Sequence, residues 1–555
     1  DALVTFKKEI TVGLMKALPE LLGKHLAEPV KLAELIAIIP HLQLELYALK
    51  RQDKVFTNLV KLVKQIFFMH SDDRLLESCA KTLGFCSSDD THDAIKRGSV
   101  QVLKESVLSS TRAFAEAAAR HPQMEDFDLV YITLSRVFWL HHFAGGSMTE
   151  CGMRDSVNTM LDNVCDGHQL DEEVVILALK FMYEHHLWAL NVMRQDDSPS
   201  EAKLLELARW RDTFVHQLHQ MLTDAPSDRI KDEVYNIEAD FFVVFSREKL
   251  QGTRVGNILG FTPSLVVLKA FWEHCEKKLD SVAGKSEATD KVALASLCNA
   301  TRLVAYNILP EHSWLPAAIV SHFVLHGKTV AEIIKSMCGK LKKHNPGRLW
   351  EVYLGAMKTA FERHMVSSVQ KQAVCEDTLE QFKDLSIRIA QVYTGQLQSD
   401  RPTAAKIVRA GVNYGLMDTP ARLSFWVYGL THFTNKIEAA EVKKLAREVM
   451  QKGQEVGAVQ SVPMWKSFYL YLEHLKEKLP VGAADDLDVT PLRAPDLPTV
   501  EARRLSFASQ QSGDLGQPAS KRPFTQMDEE ASEDDGIMDG TPLEPAYGIS
   551  KRQRH

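Results

Sequence analysis

One pattern recurs along most of the chain: an apolar helical segment, a short break, and a second apolar helical segment. Residues 401–437 show it well, because apolar side chains recur near the helical period on both sides of the breakers between Gly415 and Pro420. The second segment is rich in aromatic residues, among them Trp426 and Phe433. We expect these rings mainly to pack one helix pair against the next.

Signals for β-strands are almost absent, since there is no Asn-Gly hairpin turn and no long alternation of apolar and polar residues. The helix–break–helix unit recurs at about 35–50 residues without a sharp consensus, as in degenerate HEAT-like repeats. We therefore predict an all-α fold, a HEAT-like α-solenoid, over residues 1–478. Its single helices include segments 54–70, 228–250, 315–326, 347–364 and 371–396.

The net charge, the cysteine content and the length of the apolar runs exclude several classes of protein. The chain of 555 residues has a net charge of −7, so DNA contact requires a local basic patch or a partner. Its eight cysteines form no C-x-x-C pair and several lie in apolar helical runs, which favours buried thiols in a reducing compartment. No uncharged apolar run reaches the ~18 residues that a membrane span needs. The chain begins Asp1-Ala2-Leu3 in a helical pattern without Met, and we expect that an N-terminal part is missing.

The composition changes after Lys478. Residues 479–555 are rich in Pro, Ser, Gly and acidic residues and have few large apolar side chains. Such a segment cannot bury enough apolar surface to offset the entropy cost of ordering, so we predict a disordered C-terminal tail. Within it, Ser506 follows Arg503-Arg504-Leu505 and is a candidate phosphosite. Small basic clusters are candidate nuclear import signals: Lys521 and Arg522, and Lys551, Arg552 and Arg554.

No catalytic motif stands out: there is no P-loop, no dinucleotide-binding fingerprint, no H-E-x-x-H and no G-x-S-x-G. The nearest metal candidates are Glu184-His185-His186 and His141-His142. Adjacent histidines point to different sides of a helix, so solvated or hydrogen-bonded pairs are the simpler interpretation. We predict no catalytic residue, no metal, no cofactor and no small-molecule substrate. An enzyme stays open as an alternative, which clustering of Glu184, His185 and His186 in one closed pocket would support.

Six basic residues form two local clusters that are candidate DNA contacts: Arg247, Lys249 and Arg254, and Lys340, Lys342 and Lys343. The simpler interpretation is a solvated helix face. The functional interpretation is a ridge on the solenoid surface that contacts phosphates.

Several segments resemble, in their order along the chain, the stromalin or stromal antigen subunits of cohesin. They are LLESCAKTLGFCSSDD, LALKFMYEHHLWAL, IKDEVYNIEADFFVVFS and RPTAAKIVRAGVNYGL. The family's His-x-Asp in the last segment is absent around Arg409-Ala410. The resemblance extends over residues 5–478, and the chain looks like the C-terminal half of a divergent member.

The resemblance implies a non-enzymatic subunit that binds the kleisin subunit of cohesin and, through it, the SMC heterodimer. It also implies association with chromatin and DNA in the nucleus, on chromosomes, and a role in sister-chromatid cohesion in mitosis or meiosis. By the match to the family's pattern, Asp240 and Lys291 would contact the kleisin. The alternative for Asp240 is a helix-surface carboxylate with no partner. The alternative for the whole chain is another α-solenoid scaffold, such as a nuclear transport receptor.

Overall fold

The computed structural model describes residues 2–49, 51–88, 93–120, 127–144, 153–281, 287–393, 400–417, 421–458 and 462–479. Within these ranges the chain forms 23 α-helices and no β-strand, apart from an isolated parallel bridge between Ser246 and Phe261. The all-α prediction is therefore confirmed for this part of the chain. The cysteines of these ranges are free thiols, but the prediction that they are buried holds only in part: Cys79, Cys86, Cys275 and Cys375 are buried, whereas Cys298 is exposed. None of its helices is long and apolar enough to cross a membrane.

The first eleven helices are α1 (Ala2–Lys24), α2 (Pro29–Ala37), α3 (Glu45–Leu49), α4 (Asp53–Met69), α5 (Asp73–Ser87), α6 (Asp93–Arg120), α7 (Phe127–Ala144), α8 (Met153–Cys165), α9 (Glu172–Gln195), α10 (Glu201–Asp224) and α11 (Asp228–Val244). The next twelve are α12 (Arg247–Leu250), α13 (Gly256–Leu259), α14 (Leu265–Ser281), α15 (Glu287–Ala305), α16 (Leu315–Ser321), α17 (Lys328–His344), α18 (Leu349–Lys371), α19 (Glu376–Val392), α20 (Asp400–Leu416), α21 (Thr431–Thr434), α22 (Ala439–Glu455) and α23 (Lys466–Glu477).

Several helices begin at an acidic or hydroxyl side chain that satisfies a free backbone donor. The Asp72 carboxylate accepts a hydrogen bond from the Leu75 N–H at the start of α5, at 3.0 Å. Asp171 caps α9 in the same way through the Glu173 N–H, also at 3.0 Å, and Ser227 caps α11. Because the first N–H groups of a helix have no partner within it, such side chains fix where each helix starts.

Helices α9, α11 and α15 pack side by side and run parallel. The residue numbers of the contacting side chains rise together in both helices of each pair, as they do only in parallel helices. The contacts between α9 and α11 are Glu173–Arg229 and Lys180–Glu233, and those between α11 and α15 are Asn236–Asn299 and Asp240–Arg302. Chain neighbours such as α10 and α14 connect the members of this layer. The buried apolar side chains of the described helices join in one continuous core. Stacked helix pairs of this kind form an α-solenoid, in which each pair completes the burial of its neighbours.

The predicted helix 228–250 is wrong, because the structure divides it. Helix α11 ends at Val244, and the Ser246 hydroxyl accepts a hydrogen bond from the Lys249 N–H (3.2 Å) to begin the four-residue α12. The backbone around Ser246 bonds instead to Phe261, whose N–H donates to the Phe245 carbonyl at 2.7 Å. This pairing with a later segment turns the chain out of the helix.

Three further helix boundaries differ from prediction by five residues or more. Helix α16 ends at Ser321 rather than at residue 326, and α18 continues to Lys371 rather than ending at residue 364. Helix α19 begins at Glu376 rather than at residue 371, because Gln372 adopts a left-handed conformation with φ of 51°. A left-handed residue commonly ends a helix, and here it separates α18 from α19.

The segment 401–437 contains the two predicted helices. Helix α20 is followed by a π-helical turn, Trp426–Leu430, that leads into α21. Trp426 and Phe433 are fully buried, and the Trp426 ring lies 5.5 Å from the ring of Tyr471 in α23. The expectation that these aromatic side chains pack one helix pair on the next is confirmed.

Candidate partner-binding and phosphate-binding surfaces

A polar seam lies on the surface where α11 and α15 pack side by side; it consists of Asn236, Asp240, Asn299 and Arg302. Asp240 Oδ1 lies 2.7 Å from Arg302 Nη2, and Asn299 Nδ2 donates to Asn236 Oδ1 at 2.9 Å. The Asp240 and Arg302 side chains are 40% and 37% exposed. A partner molecule can therefore reach both charges of the pair.

Lys291 lies on the same face of α15 as Arg302. The two residues are 11 positions apart in sequence, which is close to three helical turns and about 16 Å along the helix axis. Lys291 is exposed. Below them, the buried Tyr235 hydroxyl donates to the Ser296 carbonyl at 2.7 Å and holds α11 and α15 in register. We call the exposed row of Asp240, Arg302 and Lys291 the α11–α15 strip.

Asp240 has an intramolecular partner, so the interpretation of a surface carboxylate without one is wrong. An ion pair with this exposure contributes only about 0–1 kcal/mol to stability, because water screens both charges. Replacing it by ion pairs to another chain therefore costs little. The α11–α15 strip is suited to an extended segment that carries charges of both signs.

The two predicted basic clusters meet at one aromatic ring. Tyr306 directly follows α15 and is 39% exposed. Lys249 Nζ lies 5.0 Å and Lys340 Nζ 5.9 Å from the centroid of its ring. The negative face of the ring attracts both ammonium groups and offsets part of their mutual repulsion. We call Tyr306, Lys249 and Lys340 the Tyr306 patch.

The remaining residues of the two clusters, Arg247, Arg254, Lys342 and Lys343, are also exposed. Lys342 and Lys343 belong to the last turn of α17, where cations interact favourably with the free carbonyl groups. This interaction with the end of α17 is enough to explain why Lys342 and Lys343 are there, even if they bind no phosphate. The convergence of Lys249 and Lys340 on Tyr306 is what local helix structure does not explain.

The histidines singled out in the sequence do not form one closed pocket. Glu184 Oε1 lies 2.8 Å from His142 Nδ1, whereas the His185 ring stacks on that of His141 with centroids 5.6 Å apart. Burial lowers the pKa of His185 to about 3 and that of His186 to about 4, so both rings are neutral core side chains. Three adjacent residues facing different neighbours give no support to the enzyme alternative.

One group of metal-ligating side chains does come together in the described part of the chain, and inspection of the sequence missed it. Asp280 at the end of α14 meets His322 and His326, which follow α16, and their ligand atoms all lie within 4.8 Å of one another. The His-x-x-x-His spacing is visible in the sequence. The carboxylate is 42 residues before His322, so only the contact of α14 with the segment after α16 reveals the group.

The predicted tail sites lie outside the described residues. These sites are Ser506, Lys521, Arg522, Lys551, Arg552 and Arg554. The division at residues 478 and 479 likewise falls at the end of the last described range and stays a prediction.

Two family profiles match the helical part of the chain. The profile described as "Cohesin subunit SCC3/SA, HEAT-repeats domain" matches residues 2–188, and the profile described as "STAG protein C-terminal domain" matches residues 348–478. Both matches agree with the all-helical structure.

Curated proteins with similar sequences carry the same kind of name. Sister-chromatid cohesion protein 3 of Arabidopsis thaliana is 27% identical over 490 residues, and cohesin subunit SA-1 of Xenopus laevis is 22% identical over 480 residues. These alignments cover 85% and 80% of this chain but 44% and 37% of the relatives, so the chain spans less than half the length of either. With two family profiles matched in order on one helical array, the chain belongs to the SCC3/SA (stromalin) family of cohesin subunits, as a divergent member.

Proposed function

We propose that this chain binds the kleisin subunit of cohesin and, through it, the SMC heterodimer, and that it supports sister-chromatid cohesion on chromosomes in the nucleus, in mitosis or meiosis. The observation that carries the proposal is the ordered pair of family matches at residues 2–188 and 348–478. The family is one of structural, non-enzymatic subunits. The family matches favour this function over the alternative of a nuclear transport receptor.

The α11–α15 strip is the surface that we propose for the kleisin. It offers the carboxylate of Asp240 on α11, the cation Arg302 paired with it on α15, and a second cation, Lys291, about 16 Å away along α15. An extended segment that orders on binding needs a few strong anchors to offset its lost entropy. A basic residue of the kleisin opposite Asp240 and an acidic residue opposite Lys291 would supply two such anchors.

Charge reversal at Asp240 tests this surface. Asp240→Lys removes the acceptor and places a like charge beside Arg302, and we expect the affinity for the kleisin to fall at least about tenfold, or about 1.4 kcal/mol. The measurement is a titration of the fluorescently labelled kleisin subunit with the full chain. Circular dichroism reports whether the helices are retained.

Asp228→Lys is the matched control, because Asp228 lies on the same helix, is 71% exposed and is 3.8 Å from Lys277. We expect it to change the affinity by about twofold or less, as is usual for a surface substitution. Equal affinities for Asp240→Lys and the parent chain would refute the α11–α15 strip as the site. Absence of any kleisin binding by the folded parent chain would refute the proposed function itself.

We also propose that the Tyr306 patch contacts the phosphates of chromatin DNA. The net charge of −7 gives the whole chain no attraction for DNA, so contact depends on local cations. Lys249 and Lys340 supply two from different helices, and Arg247, Arg254, Lys342 and Lys343 extend the positive surface around them. The half-exposed Tyr306 ring attracts the ammonium groups of both lysines without neutralising their charge.

A further inference from the structure

The two histidines after α16 are arranged as metal ligands. Their rings are stacked, with centroids 5.2 Å apart and planes inclined by 9°. His322 Nδ1 lies 2.9 Å from His326 Nε2. His326 Nε2 is in turn 3.8 Å from Asp280 Oδ1, on the neighbouring helix α14. Two nitrogens and a carboxylate oxygen therefore face one small volume.

The surroundings of His322 fix which nitrogen is free to bind. His322 is 1% exposed, and its Nε2 lies 2.9 Å from Glu276 Oε1. A carboxylate can only accept, and Glu276 Oε1 lies closer to Nε2 than the donor Arg363 Nη2 does (2.9 Å against 3.2 Å), so we assign the proton to Nε2 and the lone pair facing His326 to Nδ1. A carboxylate that orients a histidine in this way is the usual support of a metal-binding imidazole.

Arg363 is the nearest cation and lies on the Glu276 side of the group. Its Nη2 donates to the Ser321 hydroxyl at 3.2 Å and is 3.2 Å from His322 Nε2 and 3.8 Å from Glu276 Oε1. The Glu276 carboxylate offsets its charge. The side of the group that Nδ1 faces has the Asp280 carboxylate, which is 65% exposed and open to water.

We propose that Asp280, His322 and His326 bind a Zn²⁺ ion, with water as the fourth ligand. Tetrahedral Zn²⁺ holds its nitrogen and oxygen ligands at about 2.0–2.2 Å, which places them about 3.3 Å from one another. The ligand separations of 2.9 Å and 3.8 Å lie within about 0.5 Å of that value, and the third, between the ligand atoms of His322 and Asp280, is at most 4.8 Å. For Nε2 of His326 to bind the ion, its single ring proton must move from Nε2 to Nδ1, so the neutral imidazole changes tautomer and no proton is lost. Two imidazoles and one carboxylate suit Zn²⁺, whereas Mg²⁺ and Ca²⁺ prefer oxygen ligands.

Such a site would join α14 to the segment after α16. It is independent of the kleisin and DNA surfaces, since none of its three ligands belongs to the α11–α15 strip or the Tyr306 patch. Zinc binding to the folded chain would stabilise this part of the helical array, because the unfolded chain does not hold the three ligands together.

Calorimetric titration of the full chain with Zn²⁺ tests the proposal. We expect one site in the parent chain, and its loss in Asp280→Asn and in His326→Gln. Both positions are less buried than His322, so these variants test the ligands with less risk to folding. Glu276→Gln keeps the ligands but removes their support, and we expect Zn²⁺ affinity about 10–100-fold weaker. His312→Gln is the control, because His312 is 77% exposed and lies outside the group.

Thermal unfolding gives a second readout. Zn²⁺ should raise the unfolding midpoint of the parent chain and of His312→Gln, and should leave that of Asp280→Asn and His326→Gln unchanged. Mg²⁺ should have no effect on any of them. If the parent chain binds no Zn²⁺, or if both ligand variants bind it as tightly as the parent, the proposal is wrong.

Discussion

The close approach of α5 and α7 gives the most direct test of the helix packing. An ideal Cβ on Gly84 of α5 would lie 2.5 Å from the Phe143 carbonyl oxygen and 3.0 Å from its carbonyl carbon in α7. Carbon contacts are favourable only at about 3.5 Å or more, so Gly84→Ala must separate the helices by about 1 Å. Overpacking of this kind costs about 1–3 kcal/mol, whereas alanine regains up to about 1 kcal/mol of helix propensity. We expect a net destabilisation of about 1–2 kcal/mol.

Gly339→Ala is the matched control, because Gly339 lies in α17 and a Cβ there meets nothing within 4 Å. The same substitution should stabilise the chain by about 0.5–1 kcal/mol through helix propensity alone. Urea unfolding followed by circular dichroism gives the midpoints of the parent and both variants. A long repeat array need not unfold in a single step, so the comparison is one of midpoints in the transition that involves each helix. If Gly84→Ala raises its midpoint as Gly339→Ala does, the close backbone contact between α5 and α7 does not exist.

Two further predictions concern a buried acid and the DNA surface. The Glu238 carboxyl is fully buried with neither oxygen hydrogen-bonded to another described group, and burial raises its pKa well above the usual 4.5. The folded state then keeps a proton that the unfolded state releases above pH 4.5, so the free energy of unfolding falls as the pH rises past that value. Glu238→Gln should therefore stabilise the chain at neutral pH and not below pH 4.5, and an equal effect in denaturation at both pH values would contradict this. For the Tyr306 patch, Lys249→Gln and Lys340→Gln should each lower the slope of log affinity for duplex DNA against log salt by about 1. The control Lys269→Gln, at a 70% exposed position on α14, should leave the slope unchanged; equal slopes for all three variants would exclude the patch as a DNA contact.

Helix content was predictable because its signal is local. The segment 54–70 has its apolar side chains three and four residues apart, and the structure buries that face of α4, including Phe56, Val63 and Phe67 at 1% exposure or less. The same holds for the two helices around Trp426. The wrong prediction at residues 228–250 has a non-local cause, since the segment is divided by backbone pairing with Phe261.

The candidate sites were only half predictable. The sequence supplied Asp240 through the family resemblance, but not its partner Arg302, 62 residues later on α15. The sequence predicted both basic clusters, each on its own helix surface. It did not predict that Lys249 and Lys340 both lie close to the Tyr306 ring. These contacts join residues from different helices, and no periodicity within one helix encodes them.

The sequence by itself determined the all-helical class, the repeated pairing of apolar helices and the family to which the chain belongs. These follow from spacings of three to four residues and from the order of segments along the chain. Only the tertiary structure decided that Gly84 is tightly enclosed while Gly339 is free, and that Asp280 lies beside His322 and His326. The physical reason is that a helix fixes which residues share its faces, whereas close packing against distant helices fixes what each face meets.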